Sequence, residues 1–178
     1  MDLTPEIVLP RLRGSFGRAY YYAAETASTQ KLAPADAPHG AVAFAEHQTD
    51  GRGRLGRTWL DEAGQGLALS IVLYPPPPVA RWPELTLVAA EAVAGAIGEG
   101  AAIKEPNDVL VGGRKVAGIL AEASERVVLG MGINVGSAGF PGAGFVERDR
   151  VDLLVDVLER LEAGYDAWLS RSGSSAES

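Results

Sequence analysis

The chain has 178 residues, of which 47% are hydrophobic and 22% charged, and its formal net charge is -7. This length and balance predict one well-cored globular domain and leave no room for two of ordinary size. The acidic charge argues against broad nucleic-acid binding, and no apolar run approaches the roughly 20 residues that span a bilayer. The absence of cysteine excludes disulfides, thiolate nucleophiles and cysteine zinc sites. No signal-peptide pattern opens the chain, so we expect a cytoplasmic protein.

Periodicity predicts a series of strands and two long helices after an irregular start. Residues 1–18 show no strong period and predict either an edge strand or a short helix, followed by a loop. Residues 1–170 are expected to form the domain and 171–178 a disordered tail. The predicted strands are Tyr20–Ala24, Ala41–Glu46, Leu67–Leu73, 102–111, 114–122 and Val127–Val135. The predicted helices are Glu84–Ile97 and Val151–Leu169.

A short polar run follows the first predicted strand. Ser28, Thr29 and Gln30 open a predicted short helix, and a hydroxyl stands where it can cap the first turn. Capping alone would explain the hydroxyls. A helix N-terminus is also an anion site, so capping and ligand binding are compatible here.

Positive charge is concentrated in Gln48–Trp59, which we call the Arg-Gly segment and which reads QTDGRGRLGRTW. If this segment is extended, Arg52 and Arg54 project from one face. Glycine lets successive amide groups turn toward one anion, and arginine offers a planar fork of donors for carboxylate or phosphate oxygens. The segment therefore predicts an anion-binding loop. The alternative is a solvated glycine-rich turn whose arginines only aid solubility.

A predicted hairpin carries a lysine on its second strand. Gly112 and Gly113 between two β-rich runs are typical of a tight turn. Regular alternation puts Lys115 on one face with Ala117 and Ile119. A lysine among apolar neighbours on a central strand is costly unless it meets a charge, so Lys115 is a candidate anion ligand. The alternative is an edge lysine whose ammonium group reaches water.

The last predicted strand has one face almost without side chains. Gly130 and Gly132 alternate on that face, and Asn134 follows them. Interior glycine often marks the close approach of a ligand or of another backbone. We predict a flat ligand over the two glycines with Asn134 hydrogen-bonding at its rim; close packing by a helix is the alternative. The glycine-rich stretch 137–144 is either an inert loop or a lid that orders on ligand binding.

Four separated segments together resemble the biotin protein ligase family over roughly residues 20–170. They contain Ser-Thr-Gln, Gly-Arg-Gly-Arg-x-Gly-Arg, then Lys-x-Pro-Asn-Asp with Arg-Lys-x-x-Gly-Ile-Leu-x-Glu, and Gly-x-Gly-x-Asn. Each motif is weak alone, but their joint occurrence in this order is specific. The resemblance implies an α+β fold with a mixed β-sheet flanked by helices, as in biotin and lipoate ligases and the related class II aminoacyl-tRNA synthetase cores.

The resemblance implies an ATP-dependent biotin protein ligase. Biotin carboxylate would attack the α-phosphate of Mg²⁺-ATP to give biotinyl-5′-AMP and pyrophosphate. A lysine of a biotin carboxyl carrier protein domain, from acetyl-CoA carboxylase or a related carboxylase, would then displace AMP. Arginines and a lysine can neutralise the two anions that meet in the first step. Such chemistry needs positioning and electrostatics rather than a protein nucleophile.

The family pattern also assigns roles to residues, and it leaves the metal ligands open. Lys115 and Arg54 would be catalytic, with Lys115 bridging biotin carboxylate and α-phosphate. Biotin would contact Ser28, Thr29, Gln30, Gln48, Arg52, Gly53, Arg54, Lys115, Gly118 and Gly130. ATP or the adenylate would contact Arg54, Arg57, Lys104, Asn107, Gly132 and Asn134.

The sequence departs from the family pattern in three places. Glu105 stands where the Lys-Trp-Pro-Asn-Asp motif has tryptophan; it would put negative charge beside an anionic substrate if it faces the nucleotide, and would change little if it faces outward. The chain ends soon after its last helix, so we expect no C-terminal β-barrel. Too few residues precede the motifs for a DNA-binding domain, so we expect no repressor activity. Family members often dimerise through sheet edges, which makes a homodimer a candidate assembly.

Two alternative functions follow from these observations. Glu105 and the short C-terminal end favour a catalytically impaired protein that binds biotin or biotinyl-adenylate. A lipoate or octanoate transferase of the same fold is the other alternative, but the Arg-Gly segment matches biotin ligases better.

Overall fold

The computed structural model describes residues 1–174, which form one seven-stranded sheet with helices against it. The helices are α1 (Pro5–Val8), α2 (Glu84–Ile97) and α3 (Arg150–Ser174). The strands are β1 (Tyr20–Thr26), β2 (Val42–Gln48), β3 (Leu67–Leu73), β4 (Ala101–Lys104), β5 (Asp108–Val111), β6 (Arg114–Ala123) and β7 (Val127–Ile133). None of the helices described is both long enough and apolar enough to cross a membrane.

The sheet is mixed, with the strand order β1-β2-β3-β7-β6-β5-β4. β1 and β2 are parallel, and every other neighbouring pair is antiparallel. β7 is therefore central, and β3 and β6 flank it. The predicted mixed sheet flanked by helices is confirmed, and so is the interior position of the Leu67–Leu73 strand.

One face of the sheet packs against α2 and α3 to form the main core. Alternation directs Leu69 and Ile71 of β3 and Leu129 of β7 to that face, and all three are fully buried. Trp168 of α3 is 1% exposed, and its indole Nε1 donates to a carboxylate oxygen of Glu84 at the start of α2 over 2.7 Å. The helices thus hold each other as well as the sheet.

A buried ion pair joins four parts of the chain. Arg150, at the start of α3, lies 2.6 Å from Glu46 near the end of β2, and both side chains are mostly buried. Arg150 also donates to the carbonyl of Gly66, just before β3, and the Leu3 N–H donates to Glu46. These bonds fix the points at which the chain leaves β2 and enters β3.

Several predicted boundaries differ from the observed ones. Of the two alternatives for the irregular start, the short helix is confirmed as α1. The run 102–111 is two strands rather than one, because a turn at Glu105–Asn107 separates β4 from β5. α3 continues to Ser174, four residues into the stretch 171–178 predicted as a tail, and residues 175–178 lie outside the described residues. The predicted bounds of α2 are confirmed.

Candidate active site

The face of the sheet opposite α2 and α3 has a strip without side chains at its centre. In the strand register Gly118 of β6 lies beside Gly132 of β7, and Gly130 lies beside Ser70 of β3. We call Gly118, Gly130 and Gly132 the glycine floor. Because partners in neighbouring strands share a face, these residues and Ser70 line one surface.

Two side chains from outside the sheet lie directly on the glycine floor. A Cβ added at Gly132 would overlap the Trp59 indole, and one added at Gly130 would lie 2.6 Å from Gln30 Oε1. The glycines are therefore needed for close approach, as predicted, and the groups that approach are an indole and an amide rather than a helix. The flat ligand over Gly130 and Gly132 stays a prediction.

A register shift places Lys115 on this surface. Val109 pairs with Ala117 while the next residue, Leu110, pairs with Lys115, so Val116 is an extra residue in β6. The predicted common face of Lys115, Ala117 and Ile119 is wrong, because a bulge reverses the alternation of the strand. Lys115 instead lies beside the glycine floor: a Cβ at Gly118 would be 3.3 Å from its Nζ.

Lys115 meets a carboxylate and an aromatic ring. Its Nζ lies 3.0 Å from Asp108 Oδ1 and 5.6 Å from the centre of the Trp59 ring. Both charged side chains are partly exposed, and such pairs contribute little net free energy because water screens them. The ammonium group is therefore available for exchange from Asp108 to a ligand anion.

The short helix predicted after β1 is confirmed as a 3₁₀ turn, Thr29–Lys31, capped by Ser28. The Thr29 N–H donates to Gln48 Oε1 over 2.8 Å, and Thr29 Oγ1 lies 2.7 Å from Ser70 Oγ. Ser70 Oγ in turn donates to Gln30 Oε1 over 2.6 Å. This chain of hydrogen bonds fixes the polar groups at one end of the glycine floor.

The Arg-Gly segment folds back on itself above that surface. The Trp59 N–H donates to the Gly51 carbonyl, and the Gly53 N–H donates to the Arg57 carbonyl, each over 2.8 Å. Leu55 at its tip has a φ of 57° and is 85% exposed. A left-handed backbone at a branched side chain is uncommon and marks a tight turn. The turn brings both ends of the segment to the edge of the site.

Two of the three arginines of the segment, Arg52 and Arg54, contact different parts of the chain around the cavity. Arg52 Nη2 lies 3.1 Å from Glu122 Oε2 on β6, and the other oxygen of Glu122 accepts from Gln30 Nε2 over 3.0 Å. Arg54 Nη1 lies 3.4 Å from Asn107 Oδ1, a long hydrogen bond. Each guanidinium group therefore has donors left for a ligand anion.

These elements enclose a cavity whose lining contains most of the predicted site residues. The free space inside is about 50 Å³, little more than the share of one water in the liquid, because Trp59 and Gln30 occupy it. A ligand of biotin size therefore requires these side chains to move. The lining includes the predicted residues Ser28, Thr29, Gln30, Gln48, Arg52, Gly53, Arg54, Asn107, Lys115, Gly118, Gly130 and Gly132.

Three predicted adenylate residues do not line this cavity. Arg57 and Lys104 are exposed outside it. Asn134 is buried, and its side-chain amide donates to the Gly144 carbonyl over 3.0 Å, so it holds the loop that follows β7. Their contacts with the nucleotide stay predictions.

The structure adds four residues that sequence reasoning did not assign. Trp59, Ser70, Asp108 and Glu122 contact the glycine floor or its charged neighbours. Trp59, Asp108 and Glu122 lie within the motifs that carried the resemblance, so motif membership was a usable signal. Ser70 is the polar residue on one face of an otherwise apolar strand, which was a second signal.

Glu105 faces outward from the cavity. It is exposed and lines a neighbouring cavity of about 540 Å³ together with Leu55, Pro106 and Leu87, and Arg54 and Asn107 lie in the wall between the two spaces. Its carboxylate is thus outside the cavity that holds Lys115. Arg54 and Asn107 are predicted nucleotide contacts, so the orientation of Glu105 toward a bound nucleotide stays a prediction.

The described part of the chain has no metal centre of its own. Within residues 1–174 no three histidine, aspartate or glutamate side chains group together as metal ligands.

A family model and several known proteins are similar to this chain in sequence. Residues 22–136 match the model of the biotin/lipoate A/B protein ligase family. The bifunctional ligase/repressor BirA of Bacillus subtilis is 41% identical over 133 residues, which are 67% of this chain and 41% of that protein. The biotin–[acetyl-CoA-carboxylase] ligase of Mycobacterium tuberculosis is 38% identical over 178 residues, or 87% of this chain and 67% of that protein.

Solved structures extend the comparison to the fold. The biotin protein ligase of Aquifex aeolicus, in complex with biotin and ATP, superposes with a TM-score of 0.77 at 32% identity, covering 86% of this chain and 72% of that one. The chain thus spans about two fifths of the Bacillus subtilis protein but most of this solved structure. The predicted relation to biotin ligases of the class II synthetase-like fold is confirmed. By its motifs, topology and matched residues, the chain belongs to the biotin/lipoate A/B protein ligase family.

Proposed function

We propose that this chain is an ATP-dependent biotin protein ligase. The observation that carries the proposal is the position of Lys115: a bulge turns it onto the glycine floor, in one cavity with Arg52 and Arg54. Three cations around a surface without side chains suit a reaction that joins two anions. Two relatives that match most of this chain are named biotin–[acetyl-CoA-carboxylase] ligases. Their names support biotin as the substrate of this chain.

In the first step a carboxylate oxygen of biotin attacks the α-phosphorus of ATP. An oxygen–phosphorus bond forms, the bond from the α-phosphorus to the bridging oxygen breaks, and pyrophosphate leaves. Lys115 exchanges Asp108 for the approaching oxygens, and Arg54 adds donors from the other side of the cavity. Fixed cations of this kind stabilise charge that develops in the transition state and need no rearrangement when it forms.

In the second step the amine of a carrier lysine attacks the carbonyl carbon of biotinyl-5′-AMP. A carbon–nitrogen bond forms, the carbon–oxygen bond to the phosphate breaks, AMP leaves, and the amine loses a proton to solvent. The acceptor that we propose is a biotin carboxyl carrier domain of acetyl-CoA carboxylase or a related carboxylase. Mg²⁺ would accompany ATP and reduce the charge of its phosphates. A cytoplasmic location is part of the proposal because ATP is the co-substrate; pairing of two copies through a sheet edge stays a prediction.

The position of Glu105 outside the cavity that holds Lys115 supports the ligase over an impaired binding protein. Its carboxylate lines the neighbouring cavity instead. The departure from the family tryptophan therefore adds no carboxylate to the lining around Lys115.

Two measurements test the proposal. Biotin-dependent exchange of radiolabelled pyrophosphate into ATP reports the first step, and avidin detection of a carrier domain after incubation with biotin and ATP reports the second. We expect both signals with biotin and neither with lipoate or octanoate. Biotin binding without exchange would favour the impaired binding protein, and exchange driven by lipoate would favour the alternative transferase.

A further inference from the structure

A buried carboxylate joins the two ends of the Arg-Gly segment. Asp61 follows Trp59 by two positions, and its side chain is 8% exposed. Its Oδ1 lies 2.6 Å from Nδ1 of His47, and its Oδ2 accepts from the backbone N–H of Gln48 over 3.2 Å. His47 and Gln48 end β2, where the segment begins. We call the Asp61 carboxylate with these two donors the Asp61 clamp.

In both hydrogen bonds of the Asp61 clamp, the carboxylate is the acceptor. A carboxylate can only accept hydrogen bonds, so His47 Nδ1 carries the hydrogen in this contact. Hydrogen bonds with a charged partner are shorter and stronger than neutral ones. Burial adds to the cost of breaking them, because either partner would then lose its bond without full access to water. The clamp is therefore a more durable contact than the half-exposed pair of Arg52 and Glu122.

The clamp acts on residues that line the cavity. Gln48, held through its N–H, accepts from the Thr29 N–H through its side chain. Trp59, which lies against the glycine floor, is two residues from Asp61 and bonds to Gly51 across the segment. A change at Asp61 would thus reach the cavity through both ends of the segment, although Asp61 is not among its lining residues.

We propose that Asp61 is a positioning residue that keeps the Arg-Gly segment closed over the mixed anhydride formed in the first step. The inference rests on the proposed function. A closed loop excludes water and retains a reactive intermediate. With the clamp broken, the segment opens more often, and the adenylate leaves before the carrier lysine arrives. Asp61 itself touches none of the reacting atoms.

The test compares Asp61→Ala with Asp50→Ala. Asp50 is an exposed aspartate within the Arg-Gly segment, so the control removes the same group and the same charge. Enzyme carrying preformed biotinyl-5′-AMP is separated from free ligand, and release is followed over time. We expect Asp61→Ala to release adenylate about tenfold faster or more and to raise KM for biotin. The kcat of pyrophosphate exchange should change much less, and Asp50→Ala should match the wild type.

A double-mutant cycle identifies the partner. His47→Phe keeps a ring but removes the donor, so it should speed release less than Asp61→Ala does. Adding it to Asp61→Ala should have little further effect, because the contact is already lost. Fully additive changes in release rate, or release from Asp61→Ala no faster than from Asp50→Ala, would overturn the proposal. A lower kcat and a lower melting temperature in Asp61→Ala, without faster adenylate release, would also overturn the proposal. Asp61 would then contribute to the general stability of the fold and not to closure of the segment.

A readout without ligand separates the clamp from the proposed function. Trypsin cuts after arginine, and Arg52, Arg54 and Arg57 lie within the segment. We expect cleavage there to be about tenfold faster in Asp61→Ala than in Asp50→Ala. A wild-type protein that forms no adenylate would refute the ligase proposal, whereas equal cleavage of the two variants would refute the clamp.

Discussion

The two faces of the seven-stranded sheet are built from the same strands but serve different ends. On β7, Leu129 is fully buried against the helices, while the next residue, Gly130, faces the cavity with no side chain. Close-packed apolar side chains on one face stabilise the fold. The other face leaves space for polar groups to approach the backbone. The comparison teaches that on this sheet the position of the active surface is marked by missing side chains as much as by charged ones.

The largest expected effect comes from removing the ammonium group on the open face. Lys115→Ala should lower biotin-dependent pyrophosphate exchange by about 10²–10³-fold, because loss of one preorganised group that stabilises the transition state typically costs this much. The melting temperature should change little, since Lys115 is partly exposed and its pair with Asp108 is screened. Lys31→Ala, at an exposed lysine that does not line the cavity, is the matched control. Normal exchange by Lys115→Ala would remove the residue from the mechanism.

The second largest effect is expected from a substitution on the face that packs against the helices. Leu129→Ala should reduce the free energy of unfolding by about 2–5 kcal/mol, because it removes a buried side chain and leaves a cavity. Urea denaturation measures this change. Exchange activity per folded molecule should stay near the wild-type value, since the side chain points away from the site. A variant of normal stability and low activity would contradict the separation of the two faces.

The neighbouring residue sharpens the comparison. Gly130→Ala adds a Cβ that would lie 2.6 Å from Gln30 Oε1, so the amide must move away from Ser70 and Glu122. We expect KM for biotin to rise about tenfold, as for the loss of one or two hydrogen bonds, with a smaller change in stability than in Leu129→Ala. Calorimetric titration with biotin checks the affinity. Unchanged affinity would place the ligand elsewhere.

The smallest effect concerns a histidine packed against α3. Burial lowers the pKa of His39 below its ordinary 6.5, while Asp166 and Glu162 partly oppose the shift. The neutral Nδ1 accepts from the Tyr74 N–H, and the ring contacts Phe16 and Tyr165. The unfolded chain therefore takes up a proton first as the pH falls below 6.5, so stability decreases from there down to the lower folded pKa. Melting temperatures measured from pH 7.5 to 5 should fall less in His39→Phe; identical slopes would contradict this.

Local patterns were sufficient for much of the fold. The 3.6-residue period gave the bounds of α2, and the paired glycines at 112 and 113 gave the turn between β5 and β6. Arg52, Arg54 and Gly130 were also accessible as candidates, because they stand in short patterns of alternating residues, whereas Gln48 entered only through the family resemblance. Local patterns depend on neighbours a few positions apart, and such information is present in a single sequence.

Features that depend on distant neighbours were not accessible. The face of Lys115 depends on an extra residue in β6, which becomes visible only when β5 and β6 are paired. The Asp61 clamp joins residues 13 and 14 positions apart across a loop. The position of Asn134 depends on the loop to Gly144, which uses the amide that the motif suggested for a nucleotide. In each case the position of the side chain depends on a partner elsewhere in the chain. Periodicity carries no information about that partner.

The extra residue in β6 has a consequence for how this site can be changed. Inserting one residue between Val109 and Leu110 of β5 would give Val116 a partner and restore strict two-residue alternation. The ammonium group of Lys115 would then pass through the sheet, into the hydrocarbon interior beneath α2. Such a chain would keep all of its chemistry-bearing residues and yet lose the proposed reaction. The proposed activity thus depends on strand parity, so this insertion should be far less tolerated than substitutions at the same positions.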